Sequence, residues 1–279
     1  MRLAHISDLH FGHHDAAVAA SLAADLMDQA PDLVVVSGDF TQRGTPAEFS
    51  MARTFLEGLN IPVFAVPGNH DLGRNLVRRF LDPYGLYQRY IAADIEPFLQ
   101  FRAGGATVAL AGLNTTRRAL ADRDWSNGSI NAAQLEAIHE RFSRSDPKAL
   151  RIIVAHHPLM RQTMATLKPT LEVRRAGLAL GAFAGLGVRL VLSGHFHLSF
   201  VRRYDKNTVR QGIPSGPRVA AEAPVFVCQA STAMSDRRRG EPNSYNLIDI
   251  DGERLEIRVR QWGEGKWMTH EREMASLAA

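Results

Sequence analysis

The sequence holds a single cysteine, Cys228, among 279 residues. A disulfide within the chain is therefore excluded, and a reducing compartment, the cytoplasm, is the expected location. Lysine is nearly as scarce: only 4 of the 33 basic residues are lysine, and the rest are arginine. Long apolar runs are missing too. The longest, LALGAFAGLGV at 178–188, is too short and too glycine-rich to cross a bilayer. No basic and apolar targeting segment precedes the first strand candidate. No basic stripe interleaved with aromatics is present, so a nucleic-acid polymer is not an expected partner. What remains is an ordinary globular balance, 45% hydrophobic and 22% charged, sufficient for one large domain or a core with a small accessory element. The arginine excess has two readings. Guanidinium forks attract anionic substrates, whereas a compositional bias towards Arg and Ala codons needs no function. The local clusters, Arg117 with Arg118 and Arg123, and residues 237–239, carry more information than the total.

The first third alternates two patterns. Residues 2–6, 33–36 and 61–66 read as strands, while 15–30 and 46–59 carry apolar residues at helical spacing. Pro31 ends the first helix and Pro46 opens the second. This β-α-β-α-β order favours parallel strands with both faces covered, hence continuous apolar runs. Residues 74–101 break the rhythm. Rich in Arg, Tyr and Phe, they read as a helical cap or oligomer arm with helices around Pro83 and Pro97, or as a plain packing excursion. Strands at 106–111, 151–155 and 188–192 resume the sheet, with helices reaching about 142 and spanning about 172–184. Beyond residue 197, segments 198–204, 225–230, 244–250 and 254–260 are separated by Gly, Pro, Asn and Asp. They predict antiparallel strands forming a second sheet packed on the first, with 205–224 a surface loop and a short C-terminal tail.

Polar residues gather where the apolar runs end: Asp8 and His10; Asp39; Asn69, His70 and Asp71; His156; His195 and His197. A sheet that lays these runs side by side brings all five islands to one edge. Asp8 and His10, like His195 and His197, are two apart, so in extended backbone both side chains of a pair leave one face. Carboxylate and amide oxygens mixed with imidazoles suit Mn, Fe, Zn or Co better than Mg or Ca alone. A lone histidine beside a strand is usually a satisfied polar residue; seven such donors in order are not. His5 reads as a strand-interior residue, His13 and His14 as exposed, and His139 and His270 as surface residues.

The strings DLH at 8–10, GD at 38–39, GNHD at 68–71, the first histidine of AHHP (His156) and GHFH at 194–197 have a recognisable type and order. Together they resemble the signature of the calcineurin-like metallophosphoesterase superfamily, over residues 8 to 197. The resemblance implies an α/β fold, a four-layer α/β/β/α sandwich of two packed mixed β-sheets. Here it would be a single domain with a helical insertion at about 74–101 and a strand-rich C-terminal part at about 198–262. It further implies two divalent transition metal ions, Mn, Fe or Zn. One would be held by Asp8, His10, Asp39 and His197, the other by Asp39, Asn69, His156 and His195. A metal-bridging hydroxide would attack phosphorus in line, with His70 as general acid and Asp71 fixing its tautomer. The same pattern places the ligand at His156 and puts His157 either behind the ligands or in the substrate pocket. Arg43, four residues after Asp39, and Asn114, Arg117 and Arg118, after the 106–111 strand, complete the candidates for substrate contact.

The strings and the insertion after GNHD are most similar to bacterial cyclic-nucleotide and glycerophosphodiester phosphodiesterases, which implies a small phosphodiester substrate. Two enzyme alternatives stay open. One is a pyrophosphatase of a nucleotide-linked lipid such as UDP-diacylglucosamine, with 74–101 supplying an acyl groove or peripheral membrane contact. The other is a phosphomonoesterase. A non-catalytic scaffold of the same fold, like the retromer subunit of the superfamily, comes from another class; the intact ligand set and His70 weigh against it. The insertion also suggests a homo-oligomer.

Overall fold

The computed structural model describes residues 1–73, 76–117, 127–161, 172–204, 224–252 and 254–276. The chain opens with β1 (Arg2–Ile6), α1 (Ala16–Gln29), β2 (Leu33–Val36), α2 (Pro46–Gly58) and β3 (Val63–Ala65). Two short helices, α3 (Leu76–Leu81) and α4 (Gly85–Tyr90), precede β4 (Phe98–Ala103) and β5 (Ala106–Leu113). Then come α5 (Ala132–Ser143), β6 (Leu150–Ala155), α6 (Ala176–Gly185) and β7 (Val188–Ser193). The last strands are β8 (Phe200–Tyr204), β9 (Val225–Gln229), β10 (Ser244–Asp251), β11 (Arg254–Gly263) and β12 (Lys266–Ser276).

These strands make two six-stranded mixed sheets, ordered β12-β11-β10-β1-β2-β3 and β4-β5-β6-β7-β9-β8. In the first, β1, β2 and β3 are parallel and β10 to β12 are antiparallel. In the second, β5, β6, β7 and β9 are parallel, with β4 and β8 antiparallel at the edges. Leu3, Val35 and Ile248 of one sheet share an apolar layer with Leu110, Val154, Leu192 and Cys228 of the other. The alternate residues face outward. Ala4, Val34 and Val36 pack under Leu22, Leu26, Phe49 and Ala52 of α1 and α2. Ala109, Ile153 and Val191 pack under Ile138, Phe142, Leu180 and Phe183 of α5 and α6. The result is the four-layer α/β/β/α sandwich, and strands buried on both faces explain the continuous apolar runs. Each fully buried Leu or Phe side chain contributes about 1.5–3 kcal/mol to this packing.

Local chemistry starts the helices where the patterns do. Asp15 accepts from Ala17 N and Val18 N at the head of α1. Thr45 and Glu48 form a capping box at α2, with Pro46 in its first turn.

Four expectations are corrected. The C-terminal strands build no sheet of their own. β8 and β9 extend the second sheet, β9 lying parallel to β7, while β10 to β12 extend the first from the edge of β1. A strand edge offers unpaired N–H and C=O groups, and the returning chain satisfies them. Residues 266–276 are a full strand, not a tail, because a tight turn at Glu264 (φ 52°) and Gly265 (φ 76°) folds them onto β11. No helix forms around Pro97: the proline precedes β4, an edge strand that tolerates it, and Pro97 O accepts from Gly112 N at 2.7 Å. Residues 98–113 therefore open the second sheet and do not resume the first. Tyr87 of α4 is fully buried, whereas Val77, Phe80 and Leu81 of α3 are exposed. Among the described residues no helix is long and apolar enough to cross a membrane. Most of the segment read as a surface loop, 205–223, lies outside the described residues.

Candidate metal centre

The islands meet at a rim shared by both sheets, not at one edge of a single sheet. Asp8, Asp39 and Asn69 follow β1, β2 and β3; His156 and His195 follow β6 and β7. Ser37 O of the first sheet and His156 Nδ1 of the second are 2.8 Å apart. The side chains of each D-x-H or H-x-H pair do not converge through extended backbone. Asp8, His10, Asp39, His195 and His197 all take left-handed conformations, at φ 53°, 46°, 55°, 77° and 55°. Such a residue costs roughly 1–2 kcal/mol relative to ordinary backbone, and clusters of them mark sites that the surrounding structure over-determines. Here the constraint is visible: Asp8 N donates to Gly38 O, and His10 N to Asp39 O, both at 3.0 Å. Thr232 Oγ1 donates to Asp8 O at 2.7 Å and Ser231 Oγ to His197 O at 3.0 Å.

Close approaches at the site require glycine. A Cβ on Gly68 would fall 2.2 Å from both Asp39 N and Asp39 Oδ1, and one on Gly194 1.9 Å from Ser7 Oγ.

The donor atoms form two overlapping groups. In the first, Asp8 Oδ1 lies 3.1 Å from His197 Nε2 and 3.6 Å from His10 Nε2. The two Nε2 atoms are 3.2 Å apart, and Asp39 Oδ2 is 3.7 Å from His10 Nε2. In the second, His156 Nε2 lies 3.0 Å from Asn69 Oδ1, 3.3 Å from His195 Nδ1 and 3.4 Å from Asp39 Oδ2. Asp39 Oδ2 belongs to both. Two donors on one ion at about 2.0–2.2 Å sit about 3–3.5 Å apart, so these separations fit shared cations.

Tautomers sharpen that argument. His156 Nδ1 faces Ser37 O, and His197 Nδ1 faces Arg237 O at 2.5 Å; a carbonyl only accepts, so both Nδ1 atoms carry the proton. Each Nε2 lone pair then points at another acceptor. Asp8 Oδ2 accepts from Ser7 Oγ at 2.7 Å and His195 N at 2.8 Å, while its Oδ1 is buried without a donor. Lone pair facing lone pair in a buried site calls for a cation between them. The residues present therefore fit two divalent ions, and His–carbonyl contacts of this kind orient metal ligands.

The electrostatics agree. Burial works against charge on Asp8 and Asp39, yet His197 and His10 around Asp8, and His156 and His70 around Asp39, hold both carboxyls well below the usual range. Burial, reinforced by His156, pushes His195 down to about 3, and burial also lowers His10. At His156 the Asp39 carboxylate overrides burial and raises the imidazole to about 9. Without metal the site draws a proton onto His156; a divalent ion would satisfy the same potential and release that proton.

His70 and Asp71 sit differently from expectation. His70 N donates to Asp39 Oδ1 at 2.8 Å, and its Nδ1 faces Gln42 O at 2.8 Å. Asp71 does not fix the His70 tautomer. Its Oδ1 accepts from Thr41 N and Thr41 Oγ1, both at 3.0 Å, and its Oδ2 from Gly68 N at 2.8 Å. Two loops are pinned together by these bonds, and the Gln42 carbonyl takes the orienting part. Burial and the nearby Asp39 charge push the Asp71 carboxyl up to about 7.

The candidates for substrate contact scatter. His157 Nδ1 is 2.7 Å from Thr115 Oγ1, and its donor atom lies within 4.8 Å of those of His156 and His195. Asn114 is engaged internally: Nδ2 donates to Tyr84 OH at 2.8 Å, and Oδ1 accepts from Thr116 N and Oγ1. Arg117 Nη2 donates to Gly128 O at 3.2 Å. Arg43 is exposed, and Arg118 lies outside the described residues. Sequence reasoning missed Ser7, Thr41, Gln42, Ser231 and Thr232, and it singled out Arg237 only as part of an arginine cluster. Ser7 and Gln42 adjoin the motifs and were there to be found. Nothing in the spacing links 231–237 to the site.

Residues 1–199 match the calcineurin-like phosphoesterase family, and the chain belongs to it. It is similar to a probable cyclic nucleotide phosphodiesterase of Synechococcus sp., 25% identical over 212 residues that cover 72% of this chain and 75% of the relative. It is also similar to a probable glycerophosphodiester phosphodiesterase of Arcobacter nitrofigilis, 24% identical over 213 residues covering 75% and 72%. In fold it resembles a dimetal phosphatase from Danio rerio, with a TM-score of 0.68, 11% identity, and coverage of 100% of this chain and 99% of that one.

Proposed function

We propose that the chain is a hydrolase of small phosphodiesters working with two divalent transition metal ions. The observation that carries this reading is the single Asp39 oxygen, Oδ2, facing His10 Nε2 at 3.7 Å and His156 Nε2 at 3.4 Å. One carboxylate oxygen shared by two imidazole-rich groups is what a bridging ligand requires. Asp8, His10, Asp39 and His197 would hold one ion; Asp39, Asn69, His156 and His195 the other. Bound there, the ions supply Lewis acidity toward phosphoryl oxygens and lower the pKa of a water nucleophile.

The chain's own groups do the rest. Ser7 and the His195 amide lock Asp8 Oδ2, so that Oδ1 is the free donor. The Gln42 carbonyl keeps the His70 proton on Nδ1, and Nε2 faces Arg237 Nη1 at 3.2 Å. When Nε2 takes up a proton, His70 is placed to donate it to the departing alkoxide. Membership of the phosphoesterase family and similarity to relatives named for cyclic nucleotide and glycerophosphodiester hydrolysis support a diester as substrate.

The test is a panel on Mn-loaded protein: a nitrophenyl diester and monoester, cyclic AMP, and glycerophosphodiesters. Diesters should turn over faster than the monoester; the reverse order would sink the substrate class. His70→Ala should keep both ions and slow poor leaving groups most. Equal loss for every leaving group would remove His70 from the acid role.

A further inference from the structure

The loop between β9 and β10 contributes a charged group that the motifs do not contain. Arg237 Nη1 lies 3.1 Å from Gln42 Oε1 and 3.2 Å from His70 Nε2, and the residue is half-buried beside the candidate metal centre. Its backbone carbonyl accepts from His197 Nδ1 at 2.5 Å, so the residue is fixed relative to a metal ligand. The loop around it is held as well. Arg237 N donates to Ser235 Oγ at 3.1 Å, Asn243 Nδ2 to Ser235 O at 2.8 Å, and Ser235 Oγ to His13 O at 2.9 Å.

No carboxylate among the described residues pairs with this guanidinium. The nearest acid in sequence, Asp236, faces His13 instead, at 3.2 Å. Neither partner of Nη1, Gln42 Oε1 or His70 Nε2, brings a negative charge, and no hydrogen bond from Nε or Nη2 is formed among the described residues. An arginine placed this way beside a candidate general acid, with two donors in a planar fork, matches a phosphoryl group.

We propose that Arg237 binds a non-bridging oxygen of the substrate's phosphoryl group next to His70. The proposal rests on the phosphoesterase reading of the same site. Arginine's donors would add recognition of the oxyanion beside His70 Nε2, the nitrogen that Arg237 Nη1 faces. The position lies beyond residue 199, where the family match ends.

The experiment uses the metal-loaded full chain, with Arg237→Met and Arg237→Lys. Inorganic phosphate is titrated calorimetrically, metal equivalents are measured, and kcat and KM are determined for a nitrophenyl diester. Arg237→Met keeps the backbone carbonyl, so metal content should equal that of the wild type. Phosphate binding should weaken about tenfold or more, as expected for a lost hydrogen bond to a charged group, and KM should rise in step. Arg237→Lys should recover part of both. Unchanged phosphate affinity in Arg237→Met overturns the proposal, as does loss of metal in that variant, which would make Arg237 a support for His197 alone. Phosphate binding that depends on Arg237 in a wild type that hydrolyses no diester supports the proposal and overturns only the phosphodiesterase reading.

Discussion

A methyl group at position 68 should disable the centre without touching a ligand. Gly68 lies so close to Asp39 that a Cβ would meet Asp39 N and Oδ1 at 2.2 Å and Cγ at 2.8 Å. The first contact is with backbone, which cannot rotate away, so either the 68–71 loop or the Asp39 side chain must move. If the loop moves, the bonds from Gly68 N to Asp71 and from His70 N to Asp39 stretch; both are 2.8 Å now. If Asp39 rotates, Oδ2 leaves the place where it faces both donor groups. Overpacking of this kind costs about 1–3 kcal/mol. Losing a hydrogen bond to a charged group adds about 1.5–3 kcal/mol if nothing replaces it. Gly58→Ala is the control, since a Cβ there meets nothing within 4 Å and its α2 position favours alanine. Thermal melts of metal-free protein and metal analysis after Mn loading should show Gly68→Ala melting several degrees lower and retaining fewer ions, with Gly58→Ala unaffected. A Gly68→Ala protein that matches the wild type in both would refute the close-approach argument.

Two further expectations concern buried groups away from the donor atoms. His5 is fully buried between Ser37 Oγ at 2.9 Å and Asn246 Nδ2 at 3.3 Å, and burial, partly opposed by Asp8, pushes it down to about 3. The unfolded chain takes up this proton first as pH falls below about 6.5, so stability should decline between pH 6.5 and 3. The cost at pH 5 is about 2 kcal/mol. Melts of metal-free protein at pH 7 and 5 should show a smaller difference for His5→Gln than for the wild type, and equal differences would contradict the assignment. Cys228 lies between the sheets, and burial pushes its thiol up to about 12. At pH 8 a disulfide reagent should find no thiol in native protein and one after denaturation; rapid native reaction would show that the layer between the sheets opens.

Much of this was legible in the sequence for a physical reason. Strands buried on both faces leave unbroken apolar runs, so β1, β2, β6 and β7 announced themselves, and the donors stood at their ends. The strands β8 to β11 of the C-terminal third were found too, but β12 and the pairing partners were not. Pairing β10 with β1, and β9 with β7 across a long excursion, leaves no local trace. The left-handed backbone at Asp8 and His197 was invisible because Asp and His tolerate it without the glycine that usually signals it. Asp71 was misassigned because adjacency to His70 suggested a pair, whereas the turn sends its carboxylate to Thr41 and Gly68. Arg237 stood in an arginine cluster with nothing to set it apart from Arg238 and Arg239. Only the fold puts it beside His70.

The central claim is that seven residues hold two ions through one shared carboxylate. Metal analysis of the wild type and of Asp39→Ala, each loaded with Mn and freed of excess, tests it most directly. Two equivalents per chain in the wild type, with clear loss in Asp39→Ala, is the predicted result. A single equivalent in the wild type, or two retained without Asp39, would contradict it.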